Sequence, residues 1–142
     1  MTRLHQMFVA LALGIGSTLA AAAEVVVIVN PTNTTTSMTV DQVQEIYLGK
    51  TTTLPAGGYA SAVDLANGSP TRDAFYQKAT GKSSAQVKAV WTRLLFSGRN
   101  TPPKALGTSA EVKKFVASNP NGIGYIEKSA ADSSVKVVLT LP

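Results

Sequence analysis

Apolar and polar positions fall in blocks along this chain, and the period changes from block to block. Residues 24–29 (Glu-Val-Val-Val-Ile-Val) are a nearly unbroken β-branched run. Such a run reads as a strand buried on both faces, the kind found in parallel sheets. Asn30-Pro31 ends it, and 32–37 is a polar loop of Thr, Asn and Ser. Thr39 and Gln42 form a capping box, and Val40, Val43, Ile46 and Tyr47 then share one helical face, with Gly49 as the stop. After a loop over 50–58, broken by Pro55 and Gly57-Gly58, residues 59–65 form a second strand.

Asn67-Gly68 turns the chain into a helix over 70–80, with Ser69 at the N-cap, Pro70 at the first helical position and Gly81 at the end. Ser83 or Ser84 opens the next helix. Val87, Val90, Trp91, Leu94 and Leu95 have the spacing of one buried face, and Gly98 stops it. Residues 99–107 read as an extended loop stiffened by Pro102-Pro103. Thr108 with Glu111 makes a second capping box, followed by the apolar positions Val112, Phe115 and Val116. A turn at 119–122, a strand at 123–126, one helical turn at 129–132 and a strand at 135–141 complete the pattern. The order β-α-β-α-α-α-β-(α)-β predicts an α/β domain, a single open sheet with helices packed on it.

The first 23 residues stand apart. Arg3 and His5 form a short basic start, Met7 to Ile15 is apolar, and Ala21-Ala22-Ala23 closes the segment. This is the three-part pattern of a secretory signal peptide, with cleavage expected before Glu24. The apolar run is too short to span about 30 Å of hydrocarbon. No Cys stands at the cleavage site, so a free periplasmic or secreted protein is expected, with neither a lipid anchor nor a transmembrane helix. Residues 24–142 are then one domain, large enough for a core without disulfides.

Composition narrows the chemistry. The only His is His5 and there is no Cys, so residues 24–142 hold neither a Ser-His-Asp nor a Cys-His nucleophile, nor the usual zinc ligands. The acids Asp41, Glu45, Asp64, Asp73, Glu111, Glu127 and Asp132 show no paired motif. An enzyme is therefore not expected. Twelve of the 13 basic residues and all eight acids lie after residue 23, a mild bias toward anionic partners. The basic residues are scattered without interleaved aromatics, so nucleic acid is not an expected partner.

The turn at Gly68, Ser69, Thr71 and Arg72 is the leading candidate site. A helix start directs N–H groups and a positive dipole end at one point, which suits an anion. Thr36 and Ser37, in the polar run after the first strand, are placed as a second polar wall, since open α/β sheets bind ligands beyond strand carboxyl ends. Trp91 reads as core. Tyr125 either packs or faces the cleft.

Four blocks carry a resemblance: Glu45-Ile46-Tyr47-Leu48-Gly49-Lys50; Asn67-Gly68-Ser69-Pro70-Thr71 with Arg72 and Phe75; Phe96-Ser97-Gly98; and Pro120-Asn121-Gly122-Ile123-Gly124-Tyr125-Ile126. In order and spacing they resemble the phosphate-binding proteins of ABC uptake systems, in the type II periplasmic binding protein superfamily. The resemblance implies one lobe of a fold that in the family has two, the second lobe by its blocks. In the family, a turn of the form Arg-x-x-Gly-Ser-Gly-Thr holds the phosphate. Gly68, Ser69 and Thr71 match it. Pro70 replaces a Gly and removes a donor, and Leu65 stands at the Arg position, where no anion contact is available. The resemblance implies a small, phosphate-like oxyanion as ligand, with no metal or cofactor. It also implies a transporter membrane component as a partner. The alternative is an envelope interaction module that keeps the lobe as a scaffold and contacts another envelope protein. A homodimer would be one way to cover the exposed turn.

Overall fold

The computed structural model describes residues 24–142; the signal-peptide reading falls outside the described residues. The chain runs β1 (Val25–Val29), α1 (Val40–Tyr47), β2 (Ser61–Leu65), α2 (Pro70–Thr80), α3 (Ser84–Phe96), β3 (Lys104–Leu106), α4 (Ser109–Ser118), β4 (Gly122–Glu127), a 3-10 turn (Lys128–Ala130) and β5 (Lys136–Leu141). The strands form one sheet in the order β3-β2-β4-β1-β5. The expected α/β open sheet is present.

Two sequence expectations need correction. β1 is buried along its whole length, but it runs antiparallel to both β4 and β5, while β2 is parallel to β3 and β4. A continuous apolar run reports cover on both faces and carries no information on direction. The sheet is mixed. Within 99–107, read as loop, Lys104–Leu106 pairs with β2 as the edge strand β3. Three exposed or half-exposed residues after Pro102-Pro103 leave no alternation to detect.

Helix ends follow the capping chemistry. Thr39/Gln42 and Ser83/Gln86 close reciprocal capping boxes. Thr108 accepts the Glu111 N–H, but the Glu111 carboxylate turns to the Gly107 N–H at 2.9 Å rather than completing a box. Ser69 caps α2 through the Arg72 N–H, with Pro70 at the first position and Gly81 (φ 69°) at the end.

Period-two alternation in β4 sorts the two helical layers. A Cβ on Gly124 would meet Val112, Val116 and Val63, so that face is closed by α4. Tyr125, one residue on, stacks on Phe75 of α2 with ring centroids 3.8 Å apart and lies edge-on to Tyr47 of α1. Tyr47, Phe75, Tyr76 and Tyr125 thus form an aromatic core on the opposite face, all fully buried. Burying each side chain of this size contributes roughly 1.5–3 kcal/mol. The Tyr47 hydroxyl donates to the Val63 carbonyl at 2.9 Å, and Trp91 Nε1–H to the Tyr47 carbonyl at 2.9 Å. Trp91 is core, as expected. Helix α3 sits shallowly: Val87 and Trp91 are buried, Val90 and Leu94 half-buried, and Leu95 is 54% exposed. The five-residue apolar face read from spacing is therefore two residues deep, because α3 packs mainly on α2 and the end of α1 rather than on the sheet.

Candidate functional site

β2 ends in Asp64-Leu65, and the chain turns at Ala66–Ser69 into α2. Gly68 takes φ 88°, the third-position geometry that closes the Ser69 N–H to Ala66 O bond. Among the described residues, the N–H groups of Gly68 and Thr71 have no protein partner. Gly68 immediately precedes the N-cap and Thr71 lies in the first turn of α2, where the helix dipole is positive.

The side chains of the turn are more committed than its backbone. The Thr71 hydroxyl donates to Glu127 Oε1 at 2.6 Å, and the Ser109 hydroxyl donates to the other carboxylate oxygen. Glu127, at the end of β4, thus ties together the first turns of α2 and α4. Burial alone pushes its carboxyl up, but the hydroxyl bonds from Ser109 and Thr71 outweigh this and hold it below its ordinary value. Arg72 bends back toward the strand it follows. Its Nη1 donates to the Leu65 carbonyl at 2.8 Å and lies 3.2 Å from Asp64 Oδ2, Nε reaches Ser84 Oγ at 3.4 Å, and the guanidinium carbon is 5.2 Å from the Tyr76 ring centroid.

Asp64 is the centre of this arrangement. It is 3% exposed. It accepts the Leu65 N–H at 2.8 Å and both the Tyr76 and Tyr125 hydroxyls. Burial first, and then the Asp64 charge, push both tyrosines far above the ordinary phenol value, so they remain donors. The hydrogen-bonding capacity of this buried carboxyl is thus met within the protein. Sequence reasoning counted Asp64 only among isolated acids. The available signal was a lone acid inside an apolar strand, eight residues before an Arg at the first turn of a helix. Tyr125, left open between packing and lining, packs and donates.

The candidate residues do not all come together. Gly68, Ser69, Thr71 and Arg72 are contiguous at the start of α2. Thr36 and Ser37 are exposed and immediately precede Met38, whose N–H bonds the Val138 carbonyl on the outer edge of β5. That edge is three strand spacings, about 14 Å, from β2. The expectation of a second wall fails because β1 is antiparallel: its carboxyl end lies beside the starts of β4 and β5, away from the end of β2. Beside the turn, Asn67 and Arg72 line an open cleft of about 240 Å³ that continues under α3. Among the described residues no group of His, Cys, Asp and Glu could hold a metal, and no helix is long and apolar enough to cross a membrane.

No family model and no curated protein sequence matches the chain. Solved structures do. The chain is similar to a Clostridium perfringens protein described as a phosphate ABC transporter substrate-binding protein with bound phosphate: 28% identity, TM-score 0.66, 82% of this chain and 45% of that one. It is also similar to an ABC-type phosphate transport receptor from Vibrio cholerae, at 22% identity and TM-score 0.64, over 82% of this chain and 46% of that one. PstS from Borrelia burgdorferi, at 14% identity and TM-score 0.63 over 82% of this chain and 47% of that one, shares the fold. The chain spans under half the length of these proteins. Its mixed five-stranded sheet with four helices matches one lobe of such a binding protein.

Proposed function

We propose that this chain is an exported solute-binding module, working in the periplasm or outside the cell after signal-peptide cleavage, that takes a small oxyanion at the start of α2. Phosphate is the first candidate, from the likeness to phosphate-transport proteins. The observation that carries the reading is the pair of unpartnered N–H groups, Gly68 and Thr71, at the positive end of a capped helix. Exposed dipole contacts contribute about 0.3–1 kcal/mol each. Two such contacts fall well short of the roughly 4 kcal/mol that a millimolar dissociation constant represents, so a lone lobe binds weakly. The Thr71 hydroxyl is tied inward to Glu127 and shapes the site, and Arg72 is held beside it through Nη1 and Nε. Titrating phosphate and sulfate while following the amide resonances of residues 67–72 tests this. Saturable shifts confined to the turn support it, and no shift at about 0.5 M anion refutes it. A membrane transporter component is the partner this reading implies, and a face-to-face homodimer would cover the turn and tighten binding.

A second reading is an interaction module for another envelope protein. Phe96 at the end of α3 is 88% exposed, more than any other large apolar side chain among the described residues, with Arg93 and Arg99 beside it in sequence. Pull-down from envelope extract with Arg99→Glu against the unaltered chain separates the two readings, since loss of a partner with unchanged anion shifts favours this one.

A further inference from the structure

The cleft beside the turn is lined unevenly. Asn67, Arg72 and Lys88 give its lining a polar, basic part, and Trp91, Leu95, Pro102 and Pro103 an apolar part, with Lys88, Trp91 and Leu95 on one face of α3. Lys88 is exposed and makes no ion pair among the described residues. Arg72 Nη2 has no hydrogen-bond partner there, although the rest of its guanidinium is bound to Leu65 O, Asp64 and Ser84. Asp64 also borders the cleft, but its carboxylate is already held by two phenol hydroxyls, an N–H and the Arg72 guanidinium. Lys88 is then the uncompensated charge of the pocket, and it is positive.

The surrounding field has the same sign. Residues 74–110, which include most of α2, all of α3 and β3, carry Lys78, Lys82, Lys88, Arg93, Arg99 and Lys104 and no acid; the acids at the cleft, Asp64 in its lining and Asp73 at the Ser84 hydroxyl, are both hydrogen-bonded. A concave region with one sign of charge raises the local concentration of opposite ions. A bare phosphate would use the polar part of the lining alone and leave Leu95 and the Pro102-Pro103 rings facing water. At about 240 Å³ the cleft is at the small end of ligand sites, which typically pair an apolar lining with a few placed polar groups.

We infer that the ligand of this site is an organic oxyanion, a phosphate monoester or carboxylate joined to an aromatic or branched aliphatic group, with the anionic end at Asn67, Arg72 and Lys88 and the apolar body between Trp91, Leu95 and the prolines. The inference rests on the reading of the α2 turn as an anion site and adds the chemistry of the rest of the molecule. Titration with inorganic phosphate, phenyl phosphate and phenylacetate, followed by the amide resonances of residues 67–72 and 88–95, tests it on the unaltered chain and on Lys88→Ala and Leu95→Asn. Both substituted side chains are exposed, so the fold is retained, and a thermal melt checks this.

At least one phenyl probe is expected to bind about tenfold tighter than phosphate. Lys88→Ala should weaken that probe several-fold, and Leu95→Asn should remove most of its advantage while leaving phosphate unchanged. Equal affinity of all three probes overturns the inference and leaves the turn reading intact. A phenyl probe that binds with no response to either substitution sits elsewhere and also overturns it. Binding of neither phosphate nor the phenyl probes removes the turn reading and the inference together. A phenyl probe that binds where phosphate does not supports the inference and removes free phosphate as the ligand.

Discussion

Replacing Asp64 by Ala removes the acceptor that four groups share. The Tyr76 and Tyr125 hydroxyls lose their partner, the Leu65 N–H keeps only a 3.2 Å contact to Tyr125, and Arg72 retains the Leu65 carbonyl but no counter-charge. Removing one partner of a buried ion pair costs about 3–5 kcal/mol, because the remaining charge is left uncompensated. The Arg72 side chain is 11% exposed, so water screens part of this charge and the lower end, about 3 kcal/mol, is expected. That is a large share of a domain's total of about 5–15 kcal/mol. At roughly 4 °C per kcal/mol for a domain of this length, the melting temperature falls by about 12 °C. Urea denaturation gives the free energy and a calorimetric scan the temperature. Asp64→Asn keeps an acceptor for one phenol but still leaves Arg72 unpaired, and should fall between the two. A double-mutant cycle with Tyr125→Phe should show coupling, since both residues act through one bond. A loss under about 1 kcal/mol for Asp64→Ala would mean that the Asp64 cluster does not hold the end of β2 to α2.

Two further perturbations probe the frame around the turn. Glu127 has a lowered folded-state pKa, so the unfolded chain binds its proton more readily. Its contribution is present at neutral pH and is lost as pH falls below the ordinary carboxyl range. Glu127→Gln should cost about 1–2 kcal/mol near pH 7 and much less near pH 3, measured by urea denaturation across that range; a constant difference would contradict the assigned hydrogen bonds. Gly124→Ala would place a Cβ 2.6 Å from Val112 Cγ1 and 3.3 Å from Val116 Cγ2, an overpacking cost of about 1–3 kcal/mol, and an unchanged melting temperature would show that α4 can shift outward without loss.

Much of the fold was legible because its signals are local. The Thr39 and Ser69 caps, the Gly49 and Gly81 stops and the β-branched run at Val25–Val29 each act through neighbours a few residues away. Strand direction was not legible. The pairing of Val25 with both Glu127 and Leu141 joins distant segments, and no local pattern encodes its sense. The same gap misplaced Thr36 and Ser37. At the turn, the backbone geometry was readable from Asn67-Gly68-Ser69-Pro70, but the fate of the side chains was not. Thr71 is claimed by a carboxylate 56 positions later in the chain, and Arg72 by a buried aspartate eight positions earlier, across the turn. Leu95 misled because helical spacing reports which residues share a face, while the depth of that face depends on what the helix packs against.

The pairing of the two outer segments of the domain also has a kinetic meaning. β1 is flanked on one side by β4 and on the other by β5, with Val25 opposite both Glu127 and Leu141. Every ladder bond of this strand therefore waits on the far end of the chain, and the loop that must close is nearly as long as the domain. Such non-local closure slows folding relative to helical domains of the same size. Until β4 and β5 arrive, Val25–Val29 is a β-branched strand without its partners. A chain built this way can pair β1 only after nearly the whole domain has been made.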